Sequence, residues 1–298
     1  MNICCFDIGG TSIKYGVVNT KGVILKQGNF PTPIENCKER VPQKLIEYTN
    51  EFKKNYEIES IGISTTGYVD KINGIVTFNL NLSDYSGCQI VELVQNGTGL
   101  KAHVANDANA AALGEMWIGA GKNYQNFVCI TIGTGVGGAI VMSRKLYVGS
   151  HGLAGEIGDI RVSSIGKGLG TQAAIDNCAS TRGLLDNYRK ITGNKLNGIE
   201  LIELVKDSDP DALNVYNDFL NNLATGIINV VNVLDTEAII IGGGISTQGD
   251  FFFNKLNSIF AENVLPVYRE IKIIIAKLEN NAGLLGACYI ARNNNYFL

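Results

Sequence analysis

A chain of 298 residues is longer than one hydrophobic core usually fills, which predicts two domains. Hydrophobic residues make up 45% and charged residues 18%, a globular balance that excludes a disordered or fibrous protein. The net charge of −3 argues against nucleic acid as a main partner.

The first apolar run, Ile3 to Phe6, is too short for a signal segment or a membrane anchor and meets Asp7 at once. A cytoplasmic protein is expected. Seven cysteines, at positions 4, 5, 37, 88, 129, 178 and 288, form an odd set without a C-x-x-C pair, so neither a disulfide framework nor a clustered metal site is implied. Cys4, Cys5, Cys129 and Cys288 lie in apolar segments and read as small buried hydrophobes.

In chain order, Asn2 to Phe6 is apolar, Asp7-Ile8-Gly9-Gly10-Thr11 interrupts it, and Lys14 to Val18 resumes with β character. The pattern predicts a glycine-rich hairpin. A helix-compatible stretch from about Glu39 to Tyr56 follows, then a buried-type strand from Ser60 to Ser64 ending in Thr65-Thr66-Gly67. Asn106-Asp107-Ala108-Asn109 introduces an alanine-rich helix, Ala110 to Trp117, with Asn or Asp available as its cap. The pattern then restarts: Phe127 to Ile132 is a strand, Gly133 to Gly138 a turn, and Ala139 to Met142 a strand. Two matching hairpins predict an internally duplicated α/β fold.

Further on, Leu220, Leu223, Ile227, Val230 and Leu234 recur at helical spacing behind Asp209-Pro210, a cap followed by a first-turn proline. Glu237 to Ile241 is a strand entering Gly242-Gly243-Gly244, Ile271 to Ile275 another strand, and Ala282 to Arg292 a closing helix.

Glycine turns expose backbone N–H groups with no side chains in the way, which suits them to phosphate oxygens. One such turn means little; two matched turns with a third at Gly242 to Gly244 mean more. Neither a P-loop nor a strand-turn-helix dinucleotide fingerprint is present, because these glycines open into strands.

Asp7 to Thr11, Asn106 to Ala111, Thr131 to Gly138 and Gly152-Leu153-Ala154-Gly155-Glu156-Ile157-Gly158 together resemble the ROK family of repressors and kinases. Gly62 to Asp70, Asn81-Leu82, Ile241 to Gly244 and Ala282 to Ala287 extend the resemblance over nearly the whole chain. It implies the two-domain actin-like ATPase fold of sugar kinases, Hsp70 and actin, with a ribonuclease H-like duplicated core. A smaller N-terminal domain would cover residues 1–107 with 281–298, a larger one 108–280, and the active site would lie in the cleft.

The resemblance also implies roles. Asp107 would be the general base that takes a proton from a sugar 6-hydroxyl; on its local pattern alone it reads equally as a helix cap. Asp7 would face Mg²⁺ through water. Gly9, Gly10, Thr11, Thr131, Gly133, Thr134 and Gly135 would hold the phosphates of ATP, and Gly243 and Gly244 would lie near the adenosine. Gly67, Asn81, Asn106, Asp107 and Glu156 match sugar-facing positions, and Lys14 would be structural or electrostatic. His151 reads as a sugar-facing or a merely surface residue. Trp117 reads as core.

The family pattern breaks after Glu156. Most relatives carry a histidine three residues on and then a cysteine run that closes a Cys₃His zinc site; here Asp159 stands at the histidine and Ile160 to Thr171 has no cysteine. No structural zinc is expected. Asp176 is the nearest match to the glutamate that ends that run and touches sugar. Relatives without the zinc motif include kinases of sialic acid catabolism, so N-acetylmannosamine is the favoured substrate, with glucose and β-glucosides as alternatives and a homodimer as the expected assembly. A repressor is disfavoured because the first phosphate motif starts at residue 7, leaving no room before it for a DNA-binding domain; a sugar-binding regulator without catalysis is the other rival. Metal analysis of the purified protein should find less than stoichiometric zinc, and one tightly held zinc per chain would overturn the reading of residues 159 to 178.

Overall fold

The computed structural model describes residues 1–79, 82–163, 173–293 and 296–298. The elements are β1 (Asn2–Ile8), β2 (Ser12–Asn19), β3 (Ile24–Pro31), α1 (Cys37–Phe52), β4 (Ile58–Thr65), β5 (Tyr68–Asp70), β6 (Ile75–Phe78), α2 (Ile90–Thr98), β7 (Lys101–Asn106) and α3 (Asp107–Ile118). They continue as β8 (Phe127–Ile132), β9 (Val136–Met142), β10 (Lys145–Tyr147), α4 (Ile175–Cys178), α5 (Thr181–Thr192), α6 (Gly198–Lys206) and α7 (Pro210–Leu234). The chain closes with β11 (Ala238–Gly242), α8 (Asp250–Asn263), β12 (Lys272–Ile275) and α9 (Ala282–Arg292). No helix among the described residues is long and apolar enough to cross a membrane.

The duplication expected from the hairpins is visible in the sheet orders β3-β2-β1-β4-β7 and β10-β9-β8-β11-β12. Each places its hairpin on one side and two parallel strands on the other. In the first sheet β1 pairs antiparallel with β2 and parallel with β4, and β4 pairs parallel with β7. In the second, β8, β11 and β12 run parallel.

Alternation along β1 divides the first core in two, since neighbouring side chains on a strand point to opposite faces. Cys4, Phe6 and Ile8 join α1 and α2 residues such as Val41, Leu45 and Val94 in one cluster. Ile3 and Cys5 join Leu284, Leu285, Ala287 and Cys288 of α9 in the other. Trp117 packs on that second cluster with its ring 5.8 Å from Tyr289, which fits its expected core role. All seven cysteines are buried, and burial pushes the Cys4 thiol up to about 12, away from reactivity.

Two compact units emerge: Met1–Asn123 with Ile140–Ala154 and Lys277–Leu298, and Tyr124–Ala139 with Gly155–Ala276. The first of these units includes α3 and α9. The reason is the packing of α3 on α9. A Cβ placed on Gly286 would stand within bonding distance of the Ala110 carbonyl, so the two helices meet backbone to backbone and α3 cannot be assigned elsewhere.

Glu115 secures this first unit from inside. It is fully buried, yet no cation pairs with it in the described structure. Instead its Oε1 accepts the N–H groups of Lys277 at 2.9 Å and Leu278 at 2.8 Å, and Oε2 accepts that of Ala120 at 2.6 Å. These donors lie just where the chain leaves the unit after Asn123 and re-enters it at Lys277. A carboxylate satisfies them because both its oxygens only accept; an amide would turn an N–H₂ toward a backbone donor. Glu115→Gln should thus lower stability by about 1–3 kcal/mol, seen as a lower denaturation midpoint with an unchanged slope; an unchanged midpoint would show that the cage is not holding the unit.

Candidate active site

In the first unit the parallel strands β1, β4 and β7 end on one edge of the sheet, the edge where open α/β sheets present their ligand-binding groups. Register decides who stands there. Asp7 lies opposite Lys14 on the antiparallel neighbour and opposite Ser64 on the parallel one. The Ser64 hydroxyl donates to Asp7 Oδ1 at 2.8 Å, while Lys14 Nζ sits 3.4 Å from Oδ2 and donates to the Asn280 carbonyl at 2.9 Å. The adjoining turn is closed by a Gly9 N–H bond to the Ser12 carbonyl at 3.0 Å and steadied by Thr32, whose hydroxyl donates to the Gly9 carbonyl at 2.7 Å and whose N–H donates to that of Thr11 at 3.1 Å.

One strand further, Asn106 pairs with Thr65 at the end of β7. Its side-chain oxygen accepts the N–H groups of Ala108 at 2.9 Å and Asn109 at 3.2 Å, and its Nδ2 donates to the Gly67 carbonyl at 3.0 Å. Asn106 is therefore the cap of α3, and Asp107 is the first helical residue, its Oδ1 taking the Ala108 N–H at 2.8 Å. Burial first, and then the negative charge of Asp7, push the Asp107 carboxyl up from 3.8 to about 6. A carboxylate with that affinity for a proton is suited to accept one near neutral pH.

Gly67 sits beside this pair at φ 93°, and a Cβ there would fall 2.6 Å from the Phe78 carbonyl oxygen. The position admits glycine alone. Asn79, which the sequence reading passed over, holds the same loop: its Nδ2 donates to the Thr66 carbonyl and its Oδ1 accepts the Leu82 N–H, both at 2.9 Å. Asn81 lies outside the described residues. Ser64 was also passed over, although its alignment with Asp7 follows once β1 and β4 are known to be parallel and in that register. His151 is exposed, and Gly152 after it takes φ 75°.

In the second unit Thr131 pairs with Gly242 at the ends of β8 and β11, and Gly243 follows at φ 90° against the Ile132 carbonyl. The Gly133 to Val136 turn closes through a Gly133 N–H bond to the Gly135 carbonyl at 2.9 Å. Glu156 is half-buried and precedes a short 3-10 turn, Ile157–Asp159. Thr134 lines a cavity of about 260 Å³ with Thr181, Arg182, Leu185, Arg189 and Lys195 among its walls.

Asp176 accepts the Val136 N–H on Oδ1 at 2.7 Å and pairs through Oδ2 with Arg182. The short α4 helix, set against the start of β9, gives it that reach. Most of the segment Ile160 to Thr171, which carries no cysteine, lies outside the described residues. Among the described residues no group of three or more His, Cys, Asp or Glu is arranged to hold a metal ion.

Comparison with known proteins gives concordant matches. The model of the ROK family matches residues 3–294. A β-glucoside kinase of Listeria innocua is 32% identical, over 97% of each chain. The structure of a ROK family glucokinase from Streptomyces griseus in complex with glucose and AMPPNP superposes with a TM-score of 0.84 at 30% identity, covering 98% of this chain and 99% of that one. That of a candidate N-acetylmannosamine kinase from Listeria monocytogenes gives 0.87 at 30% identity, covering 97% and 98%.

Proposed function

The chain belongs to the ROK family and has its two-domain actin-like ATPase fold, and from that premise we propose that it is an ATP-dependent kinase of the 6-hydroxyl of a hexose or N-acetylhexosamine. The observation that carries the reading is Asp107. A carboxylate on the first turn of a helix, fixed by a neighbouring cap and raised to about 6 by burial and by Asp7, matches the demand on a base that deprotonates a primary alcohol. A regulator that only binds sugar has no use for a carboxyl so tuned, which favours the kinase over the non-catalytic rival.

In this reading Asp107 takes the 6-hydroxyl proton as the oxygen attacks the γ-phosphoryl group. Asn106 both orients the base through the helix cap and keeps the Gly67 loop beside it. Asn81 and Glu156 would be further acceptor contacts carried over from the family pattern, and His151, placed just before Gly152, would be another. Thr131, Gly133, Thr134 and Gly135, with Gly9, Gly10 and Thr11, would receive phosphate oxygens on their N–H and hydroxyl groups, with Gly243 and Gly244 next to the adenosine.

The residues present also suit a hard divalent cation. Asp7 offers carboxylate oxygen and its negative charge raises Asp107, a repulsion that a nearby cation would relieve. Asp7 would hold Mg²⁺, through water, and the ion would supply charge neutralisation to the triphosphate.

N-acetylmannosamine is the favoured acceptor. Its support is the absence of the zinc-site cysteines and the likeness to the Listeria monocytogenes structure. Glucose and β-glucosides are supported by the glucokinase and β-glucoside kinase relatives.

Because a protonated base cannot accept, kcat/KM should fall about tenfold per pH unit below pH 6 and level off above it. The sign of the stability effect is opposite. A carboxyl raised above its unfolded value binds protons more tightly in the folded chain, so protonation of Asp107 adds stability as pH falls from 6 toward 3.8. The activity loss is therefore not acid unfolding at this group, which a parallel denaturation series checks. Asp107→Asn should lower kcat by about 10²- to 10⁴-fold with nucleotide binding intact; near-normal turnover would remove Asp107 from the mechanism. A coupled ATP assay with N-acetylmannosamine, N-acetylglucosamine, glucose, mannose and a β-glucoside should rank N-acetylmannosamine first by kcat/KM. A higher value for glucose would reassign the substrate, and no turnover with any sugar would leave the regulator.

A further inference from the structure

We infer that Asp176 is a positioning residue for the phosphate-binding turn and not a ligand of the acceptor sugar. The inference rests on the kinase reading and deepens it, since it assigns to the donor side a residue that the family pattern sends to the acceptor.

Four hydrogen bonds define the arrangement. Asp176 Oδ1 accepts the Val136 N–H at 2.7 Å, at one end of the turn. At the other end, the Gly133 carbonyl accepts the Thr181 N–H at 2.9 Å. Both partners come from one short stretch, in which the Ser180 hydroxyl donates to the Asp176 carbonyl and accepts the Gly183 N–H at 3.0 Å. Ser180 is fully buried, so the stretch is a braced support and not a surface loop.

The clamp commits the N–H groups of Gly133 and Val136 to the protein itself. No described residue accepts from those of Thr134 and Gly135, and these are left for donor phosphates. The fit is tight: a Cβ on Gly135 would fall 2.6 Å from Asp176 Oδ1, so glycine here serves the approach of the carboxylate as much as that of a phosphate.

Charge completes the argument. An unpaired carboxylate bonded to a phosphate-binding turn would repel the anion that the turn is meant to receive. Arg182 pairs with Oδ2 and also lines the cavity next to Thr134. It offsets the carboxylate while leaving Oδ1 free to hold Val136, and a charged acceptor holds a backbone N–H more firmly than a neutral one.

The test separates donor from acceptor. AMPPNP with Mg²⁺ is titrated by calorimetry into wild type, Asp176→Ala, Asp176→Asn and Arg182→Ala, and KM is measured for N-acetylmannosamine and for glucose. Asp176→Ala should weaken AMPPNP about tenfold or more, and Arg182→Ala, which strands the carboxylate beside the phosphates, by a similar factor. Asp176→Asn, whose amide oxygen can still accept from Val136, should do less, and acceptor KM should stay within about twofold throughout. A tenfold rise in acceptor KM with unchanged AMPPNP affinity would return Asp176 to the sugar, and unchanged values for both would show that the clamp is idle. If Asp176→Ala does not fold, Arg182→Ala carries the same comparison. Wild type that binds no AMPPNP would sink the kinase reading itself, an outcome distinct from wild-type binding that the variants fail to disturb.

Discussion

A single amide, that of Asn106, sets the arrangement at the sheet edge of the first unit. It ends β7, caps α3 through the Ala108 and Asn109 N–H groups, and grips the Gly67 carbonyl of the loop after β4. An aspartate in the same place could cap the helix but could not donate to a carbonyl, because an ionised carboxylate only accepts. By taking the cap, Asn106 leaves Asp107 as the first residue of the helix, near Asp7, where burial and like charge raise its proton affinity. Cap, loop and the placement of Asp107 are consequences of one side chain having both a donor and an acceptor.

The rest of the first unit keeps that side chain in place. Parallel register brings Asp7, Ser64 and Asn106 to one sheet edge. Behind them α3 and α9 meet at Gly286, and the buried Glu115 gathers the backbone donors of Ala120, Lys277 and Leu278. Helix α3 therefore carries a carboxyl with raised proton affinity at its start and a structural one two turns later. They differ in surroundings: Glu115 is met by the N–H groups of Ala120, Lys277 and Leu278, whereas Asp107 has the Ala108 N–H and a like-charged neighbour.

The second sheet repeats the strand order of the first. Its hairpin between β8 and β9 matches that between β1 and β2, yet it is stiffened from outside by the stretch around Asp176 and Thr181. The first hairpin is held instead by Thr32 at the end of its own third strand. Duplicated topology thus does not duplicate support, since each turn takes its bracing from whatever segment follows in its own half.

Much of this could be read without coordinates. The apolar runs, their glycine interruptions and the repeat of that pattern specified two copies of a hairpin-led sheet, because alternation and turn chemistry are local properties. The Asp209-Pro210 start of α7 was legible for the same reason, and the structure confirms Asp209 as its cap. Asn-Asp before an alanine-rich helix located the candidate base but could not say which residue capped, as both side chains can. Tertiary structure decided the pairings between distant segments. Ser64 beside Asp7 depends on a parallel register, α3 belongs with α9 because two helices touch through a glycine, and Asp176 turns to Val136 because α4 is set against the start of β9. Such contacts join residues that no periodicity links, and only the packed chain brings them within reach of a hydrogen bond.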